Sequence, residues 1–189
     1  AIRSDRFTTS SVTIKKGKVN IIGGESGIGK STILKELLGI APTSIIQTKK
    51  IQKTYFPSTS NISYCGQRPF FLELPIRKIF QLSNDVEISD ESIWRALSMF
   101  DLSERIETID EVLKLDGSNL SGGEMARLSM AIGISRQPDI LVLDETLANL
   151  NLVLRKKSYL TLRNSVETLI MITHDKHFLN GDEIFLNIE

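Results

Sequence analysis

The stretch Val19-Asn-Ile-Ile-Gly-Gly-Glu-Ser-Gly-Ile-Gly-Lys-Ser-Thr32 decides the fold of this chain. An apolar run typical of a buried strand leads into the pattern G-x-x-x-x-G-K-[ST], and leucines at helical spacing follow it. Such glycines let successive backbone N–H groups face a phosphate at the start of a helix. The pattern therefore predicts that Lys30 reaches the β- and γ-phosphates of a nucleotide, that Ser31 ligates Mg²⁺ and that Thr32 extends the polar start. The predicted loop residues are Gly24, Glu25, Ser26, Gly27, Ile28 and Gly29.

A second apolar run, residues 140–143, ends in the two carboxylates Asp144 and Glu145. Ligands of a doubly wound sheet bind where buried parallel strands end. We expect Asp144 to hold the Mg²⁺ shell and Glu145 to polarise an attacking water. In isolation, two adjacent acids could equally cap the next helix. The phosphate loop upstream favours the interpretation as ligands.

The segment Leu120-Ser-Gly-Gly-Glu124 resembles the phosphate loop in its chemistry. Ser121 offers a hydroxyl, and Gly122 and Gly123 expose N–H groups at a helix start, which predicts a second anion site. This site has no lysine of its own, which suggests a phosphate shared with another site. An ordinary serine cap completed by Glu124 remains an alternative for the pentapeptide alone.

Strand and helix signals alternate along the chain, which indicates a parallel sheet covered on both faces. We expect one domain over residues 1–189, with a helical subdomain at roughly 68–125. A small antiparallel edge sheet is expected from the strands around the Gly17 turn and from residues 43–63. The predicted helical segments are one that follows Lys30 and is ended by Gly39 and Pro42, then 75–109, 122 to before Pro138, and 152–163. The predicted core strands are 19–22, 62–65, 140–143, 169–173 and 184–188.

The composition excludes several functional classes. The chain has 189 residues with 23 basic and 23 acidic side chains, and this zero balance argues against nucleic acid as a partner. A single cysteine, Cys65, rules out an internal disulfide framework. No apolar stretch approaches the roughly 18 to 20 residues that span a bilayer. A role at a membrane therefore requires a partner.

Taken together, these motifs resemble those of the ATP-binding-cassette (ABC) ATPases. The order of GESGIGKST, Gln67, NLSGGE, ILVLDE and His174 carries the resemblance over nearly the whole chain. It implies an α/β P-loop NTPase that uses ATP and Mg²⁺. Gln67 is similar to the family glutamine that reaches Mg²⁺ and the water, and His174 is similar to the switch histidine at the γ-phosphate. The implied catalytic residues are Glu145, His174 and Gln67, and the implied metal ligands are Ser31, Gln67 and Asp144.

The segment after Gln67 resembles the exporter branch of this family. The pair Ile76-Arg77 follows a Gln-x-Pro-Phe sequence, and Gly117-Ser-Asn-Leu120 leads into the NLSGGE motif, which resembles the signature of the family. The resemblance implies that residues 68–100 dock a transmembrane domain, although Phe70, Phe71 and Leu72 could instead pack between subdomains. One departure lies in the D-loop, where Asn151 replaces the usual aspartate.

The resemblance implies that two copies, or one copy and a related cassette, sandwich two ATP molecules head to tail. Ser121, Gly122 and Gly123 of one chain would complete the site of the other. Closure of the dimer would drive export at the cytoplasmic face of the cell membrane. Two alternatives stay open at this point: a soluble ABC ATPase without a transport role, and a regulatory cassette that binds ATP without turnover.

Overall fold

The computed structural model describes residues 14–25, 27–37, 61–175, 177, 179, 181 and 183–187. Within these ranges the chain forms five β-strands and five α-helices. The strands are β1 (Val19–Gly23), β2 (Ile62–Cys65), β3 (Ile140–Asp144), β4 (Thr168–Ile172) and β5 (Ile184–Asn187). The helices are α1 (Lys30–Leu37), α2 (Ile76–Ser83), α3 (Asp90–Met99), α4 (Gly122–Ser135) and α5 (Leu152–Ser165). Short 3₁₀ turns occupy Leu115–Gly117 and Thr146–Asn149.

The five strands form one sheet in the order β2-β3-β4-β1-β5, and every neighbouring pair is parallel. The two strands β3 and β4 are buried along their whole length. Continuous apolar runs are typical of strands that are covered on both faces. Because all strands run in one direction, their carboxyl ends meet at one edge of the sheet, where ligands bind in such folds.

Alternate residues of each strand pack into two separate layers. Ile21, Leu141 and Met171 belong to the larger core cluster, which includes buried side chains of α2 to α5. Ile22 and Val142 belong to the smaller cluster, which includes Leu34 of α1. The period of two along a strand sends neighbouring side chains to opposite faces. The sheet is therefore covered by α1 on one face and by the other helices on the opposite face.

Three of the helices begin at a polar capping side chain. The Ser89 hydroxyl accepts a bond from the N–H of Ser92 at 3.3 Å, and the side chain of Asn151 accepts one from the N–H of Leu154 at 3.0 Å. Ser121 caps α4 in the same way. Such side chains satisfy N–H groups that have no acceptor within the helix. Asn151, the departure in the D-loop, thus begins α5.

The predicted parallel sheet with helices on both faces is confirmed, and the strand and helix bounds agree within about two residues for β1, β3, β4, α4 and α5. The predicted antiparallel edge sheet falls mainly on residues 1–13 and 38–60, which lie outside the described residues. Ile14, expected in its first strand, is buried but has no strand assignment. The bounds of the helical subdomain stay a prediction; the range 68–125 contains α2 and α3.

The prediction of helix up to residue 109 is wrong beyond Met99. Asp101 adopts a left-handed conformation with φ of 54°, which ends α3, and turns continue to Asp110. Leu102, Ile106 and Ile109 are nevertheless buried. Apolar residues three and four apart can thus anchor a series of turns as well as a helix, which explains the error.

Among the described residues, no helix is long and apolar enough to cross a bilayer.

Candidate functional site

The loop between β1 and α1 has the backbone angles that a phosphate loop requires. Gly24, Gly27 and Gly29 have φ values of 137°, 79° and 96°. An L side chain is strained at such angles, whereas glycine adopts them freely. A Cβ added to Gly27 would have no neighbour within 4 Å, so the angle rather than the space selects glycine there. The N–H of Ile28 closes the turn on the carbonyl of Glu25 at 3.4 Å.

Lys30 places its ammonium group against this loop. The residue is 5% exposed, and Nζ donates to the carbonyls of Gly24 at 2.9 Å and Glu25 at 2.8 Å. An ammonium has three donors, so two hold the loop and one can serve an anion. Lys30 is also the first residue of α1, whose early N–H groups have no helical acceptor. Thr32 is exposed in this first turn, and Ser26 lies outside the described residues.

Asp144, at the end of β3, accepts a hydrogen bond on each carboxylate oxygen. The Ser31 hydroxyl donates to Oδ1 at 2.8 Å, and the Tyr64 hydroxyl donates to Oδ2 at 2.5 Å. Asp144 is 4% exposed. Buried carboxylates need such partners because desolvation penalises an unpaired charge. The two partners hold Asp144 beside the first turn of α1, and its role in binding Mg²⁺ stays a prediction.

Tyr64 remains a hydrogen-bond donor at all ordinary pH values. Burial, reinforced by the bond to the Asp144 carboxylate, raises the pKa of its phenol well above the usual value. The ammonium of Lys35 lies 5.5 Å from the centre of its ring, within the range of a cation–π contact. The ring is thus held from the side of α1.

Glu145 forms a second cluster immediately beyond Asp144. The amide Nε2 of Gln67 donates to its Oε2 at 2.7 Å, and Nε2 of His174 lies 3.3 Å from its Oε1. Glu145 adopts a left-handed conformation with φ of 53°. Gln67, Glu145 and His174 follow the ends of β2, β3 and β4, three neighbouring strands. The sheet order therefore brings together all three residues that were expected to act in catalysis.

The predicted signature residues stand at the start of α4. Ser121 and Glu124 form a capping box, in which Ser121 N donates to Glu124 Oε2 at 2.7 Å and Glu124 N donates to Ser121 Oγ at 3.2 Å. The bond from the backbone N–H of Ser121 lowers the pKa of Glu124. The capping alternative is therefore correct for this chain alone, and it leaves a role for an incoming anion open. Ser121 and Gly122 are exposed, and Gly123 is half-buried.

The 3₁₀ turn Thr146–Asn149 is tied to the segment that carries Gln67. The Thr146 hydroxyl donates to the carbonyl of Cys65 at 2.7 Å, and the Asn149 amide donates to the carbonyl of Gln67 at 3.3 Å. A Cβ on Gly123 would lie 3.3 Å from the Asn149 carbonyl oxygen. The turn therefore lies between the glutamine segment and the start of α4.

Arg155 of α5 holds the other side of this turn. Its guanidinium donates to the carbonyls of Leu147 at 3.1 Å, Ala148 at 3.2 Å and Leu150 at 2.8 Å, and it also binds Asp175. The N–H of His177 and this arginine lower the pKa of Asp175. Because Asp175 follows His174 directly, one side chain joins the turn to the histidine segment.

Sequence reasoning missed Tyr64 and Arg155. The contact of Tyr64 with Asp144 depends on the pairing of β2 with β3, in which Tyr64 lies opposite Val142. Residues two positions further along a neighbouring strand share its face and are within reach of a long side chain. A correct prediction of the register between β2 and β3 would therefore have indicated the contact between Tyr64 and Asp144. Nothing in the local sequence around Arg155 indicates its carbonyl partners.

A family model described as "ABC transporter" matches residues 7–148 of the chain. The chain belongs to the ABC transporter family. It is an ABC-type ATPase domain, and such domains bind ATP and generally require Mg²⁺.

Similar proteins include transport ATPases with different stated roles. The zinc import ATP-binding protein ZnuC 1 of Hahella chejuensis is 28% identical over 173 residues, which are 88% of this chain and 61% of that protein. The sublancin-168-processing and transport ATP-binding protein SunT of Bacillus subtilis is 34% identical over 171 residues, which are 85% of this chain and 24% of that protein. The ABC domain thus spans less than two thirds of the length of these relatives.

A solved structure of a bacterial Atm1-family ABC exporter with ATP bound has the same fold. It superimposes with a TM-score of 0.76 at 22% identity, and the match covers 92% of this chain and 32% of that chain. The lactococcin-A transport/processing ATP-binding protein LcnC of Lactococcus lactis is 31% identical over 172 residues, which are 86% of this chain and 24% of that protein. SunT and LcnC support the resemblance of the sequence to the exporter branch.

The residues at the site fit a Mg²⁺ ion that accompanies a nucleotide. Mg²⁺ prefers hard oxygen ligands and usually takes one or two from carboxylates and the rest from phosphates and water. The Asp144 carboxylate and the Ser31 hydroxyl, 2.8 Å apart beside the phosphate loop, are such oxygens. The amide nitrogen of Gln67 faces Glu145, so a role of Gln67 as a metal ligand stays a prediction.

Proposed function

We propose that the chain hydrolyses ATP at two composite sites, in a head-to-tail dimer that powers export through a transmembrane partner. The observation that carries this proposal is the cluster of Gln67, Glu145 and His174 beside Asp144. The amide of Gln67 lies 2.7 Å and the imidazole of His174 lies 3.3 Å from the Glu145 carboxylate, next to a phosphate loop. This is the set of groups needed to orient and deprotonate a water in line with a phosphate.

Each side chain of the cluster has a separate task. Glu145 takes up the proton of the attacking water, Gln67 orients Glu145 and the water, and His174 contacts the γ-phosphate. Lys30 neutralises phosphate charge, and Ser31 and Asp144 hold Mg²⁺, which supplies further charge neutralisation when it is bound. Phosphoryl transfer depends on such positioning and electrostatic stabilisation.

The dimer follows from the position of the signature residues. Ser121 and Gly122 are exposed at the start of the 14-residue helix α4, where backbone N–H groups and the helix dipole favour an anion. In the proposed dimer this anion is the γ-phosphate bound to the other chain. Symmetry makes the interface isologous, so two ATP molecules join the chains at two equivalent sites. The second copy is the same chain or a related cassette.

The transmembrane partner docks at the cleft beside Gln67. This cleft has a volume of about 440 Å³, and its lining includes Phe70, Leu72 and Leu82, which are 63%, 53% and 60% exposed. Large apolar side chains that stay exposed around a cavity are typical of an interaction site. Such docking places the domain at the cytoplasmic face of the cell membrane. It also links the partner to catalysis, because Gln67 follows the same strand as the cleft residue Tyr64.

Arg77, part of the exporter-like pair, has a role within the chain. Its Nε donates to Asp110 at 2.8 Å, and its guanidinium also binds Asp90 at the start of α3. The backbone N–H of Arg77 donates to Ile109 at 2.7 Å. Arg77 therefore stiffens the helices behind the docking surface, and the apolar side chains are the ones that contact the partner.

Glu145→Gln tests this function. An amide of the same size keeps the hydrogen bonds around the site but cannot take up a proton, so ATP should still bind while turnover is lost. ATP-dependent dimers should then accumulate, which gel filtration with light scattering measures. Glu87→Gln, at an exposed acid between α2 and α3, is the matched control and should keep the wild-type rate of phosphate release. Hydrolysis by Glu145→Gln at the wild-type rate would remove Glu145 as the base.

A further inference from the structure

The side chain of Asp144 is held from two sides by residues with different chemistry. Ser31, which is expected to share Mg²⁺ with Asp144, donates to Oδ1, while Tyr64 donates to Oδ2 at 2.5 Å. Tyr64 lies in β2, next to β3 in the sheet. The phosphate-loop motif includes Ser31 but says nothing about Tyr64.

We propose that Tyr64 is a positioning residue for the metal ligand Asp144. Its hydroxyl occupies Oδ2 and fixes the rotamer of the carboxylate, which leaves Oδ1, the oxygen beside Ser31, to serve Mg²⁺. Hydrogen bonds to a ligating carboxylate orient it and tune its affinity for the metal. This inference rests on the proposed role of Asp144 in Mg²⁺ binding.

The helix that carries Ser31 also holds the tyrosine ring. Ser31 and Lys35 are four residues apart on α1 and therefore lie on one face of the helix. Lys35 places its ammonium 5.5 Å from the ring centre of Tyr64. One helix face thus sets both the serine and the tyrosine against Asp144, so the carboxylate follows any movement of α1 when the phosphate loop binds a nucleotide.

The test compares ATP affinity with and without the metal. The full 189-residue chain is titrated with ATP by calorimetry, once with excess EDTA and once with excess MgCl₂, and the ratio of the two dissociation constants is the magnesium effect. Tyr64→Phe removes one oxygen and keeps the ring. It should leave the affinity in EDTA unchanged and reduce the magnesium effect about tenfold, the lower end of the loss typical of such supporting partners.

Tyr159→Phe is the matched control. Tyr159, on α5, also donates to a carboxylate, that of Glu183; it is buried, whereas Tyr64 is half-buried. Its loss should lower the melting temperature without changing the magnesium effect. In an Asp144→Asn background, Tyr64→Phe should cause no further loss of the magnesium effect, because the two residues act through one contact. An equal magnesium effect in wild type and Tyr64→Phe overturns the inference.

Lys35→Met supplies a second variant that leaves every hydrogen bond of Asp144 in place. Loss of the cation over the ring should reduce the magnesium effect about twofold. If Tyr64→Phe does not fold, an unchanged magnesium effect in Lys35→Met overturns the inference. Failure of the proposed function gives a different result: the wild-type chain would show no magnesium effect, or Lys30→Ala would bind ATP as tightly as wild type.

Discussion

Gly133, in the last turn of α4, packs tightly against β2. A Cβ at this position would lie 2.9 Å from Sγ of Cys65 and 3.3 Å from Cδ1 of Leu141. Real Cβ atoms do not approach a sulfur that closely. Cys65 is 1% exposed, and its Sγ contacts the Ser129 carbonyl at 3.4 Å, so a rotation away from the added methyl would break this contact.

Gly133→Ala should therefore destabilise the fold, although alanine is the better helix former. Overpacking of a dense core costs about 2 kcal/mol, whereas the change from glycine to alanine in a helix gains about 1 kcal/mol. We expect a net loss of about 1 kcal/mol in the free energy of unfolding. Removal of the sulfur should reverse the sign of this change in the free energy of unfolding. In a Cys65→Ala background, Gly133→Ala should therefore stabilise the chain by up to about 1 kcal/mol.

Urea unfolding followed by circular dichroism measures all four chains of this cycle. The coupling between the two substitutions should be about 2 kcal/mol, within the range found for residues in contact. Gly122→Ala, in the same helix but with nothing within 4 Å of the added Cβ, is the control and should cause no overpacking loss. Equal effects of Gly133→Ala in both backgrounds would refute the close approach of α4 to β2.

Two further predictions concern the capping box and the turn. The hydrogen bond from Ser121 N lowers the pKa of Glu124, so the ionised carboxylate adds stability at neutral pH, and this stability is lost as the pH falls below about 4.3. Glu124→Gln should therefore lower the free energy of unfolding by about 0.5 kcal/mol at neutral pH and leave it unchanged in acid. Urea midpoints at the two pH values measure the difference. Arg155→Lys keeps a charge near Asp175 but cannot span three carbonyls, so it should cost about 1.5 kcal/mol in unfolding free energy. Asp175→Asn should cost less, and the reverse order would show that the ion pair, not the carbonyl contacts, holds the turn.

The sequence indicated which residues the structure brings together at the candidate site, but not the contacts between them. Gln67, Glu145 and His174 each follow an apolar strand, so their placement at the carboxyl edge of a sheet could be expected from local patterns. Their mutual contact depends on the order β2-β3-β4, a property of long-range pairing that no local pattern contains. Tyr64 was missed for the same reason, because its partner lies 80 residues away on a neighbouring strand.

Local patterns also failed where burial does not imply regular structure. Ile106 and Ile109 are spaced as in a helix, yet they lie in turns after the left-handed Asp101. The capping box at Ser121 illustrates a different limit. Its sequence equally fits a cap and an anion site, and a single chain can only satisfy the first. The second requires a phosphate from outside this chain.

A mixing experiment tests the central claim, that two chains share each ATP, most directly. Ser121→Arg blocks the space for the opposite phosphate, and Lys30→Ala removes the charge that binds the chain's own phosphate, so each variant alone should be inactive. A heterodimer of the two retains one site with an intact Lys30 from one chain and an intact Ser121 from the other.

ATP hydrolysis, measured as phosphate release, should therefore return in part when the two inactive variants are mixed. The control replaces the Lys30→Ala chain by one that carries both substitutions, and it should restore nothing because no intact site can form. Monomeric Ser121→Arg should still bind ATP with nearly wild-type affinity. Loss of that affinity, together with no activity on mixing, would place the signature beside its own nucleotide and contradict the shared site.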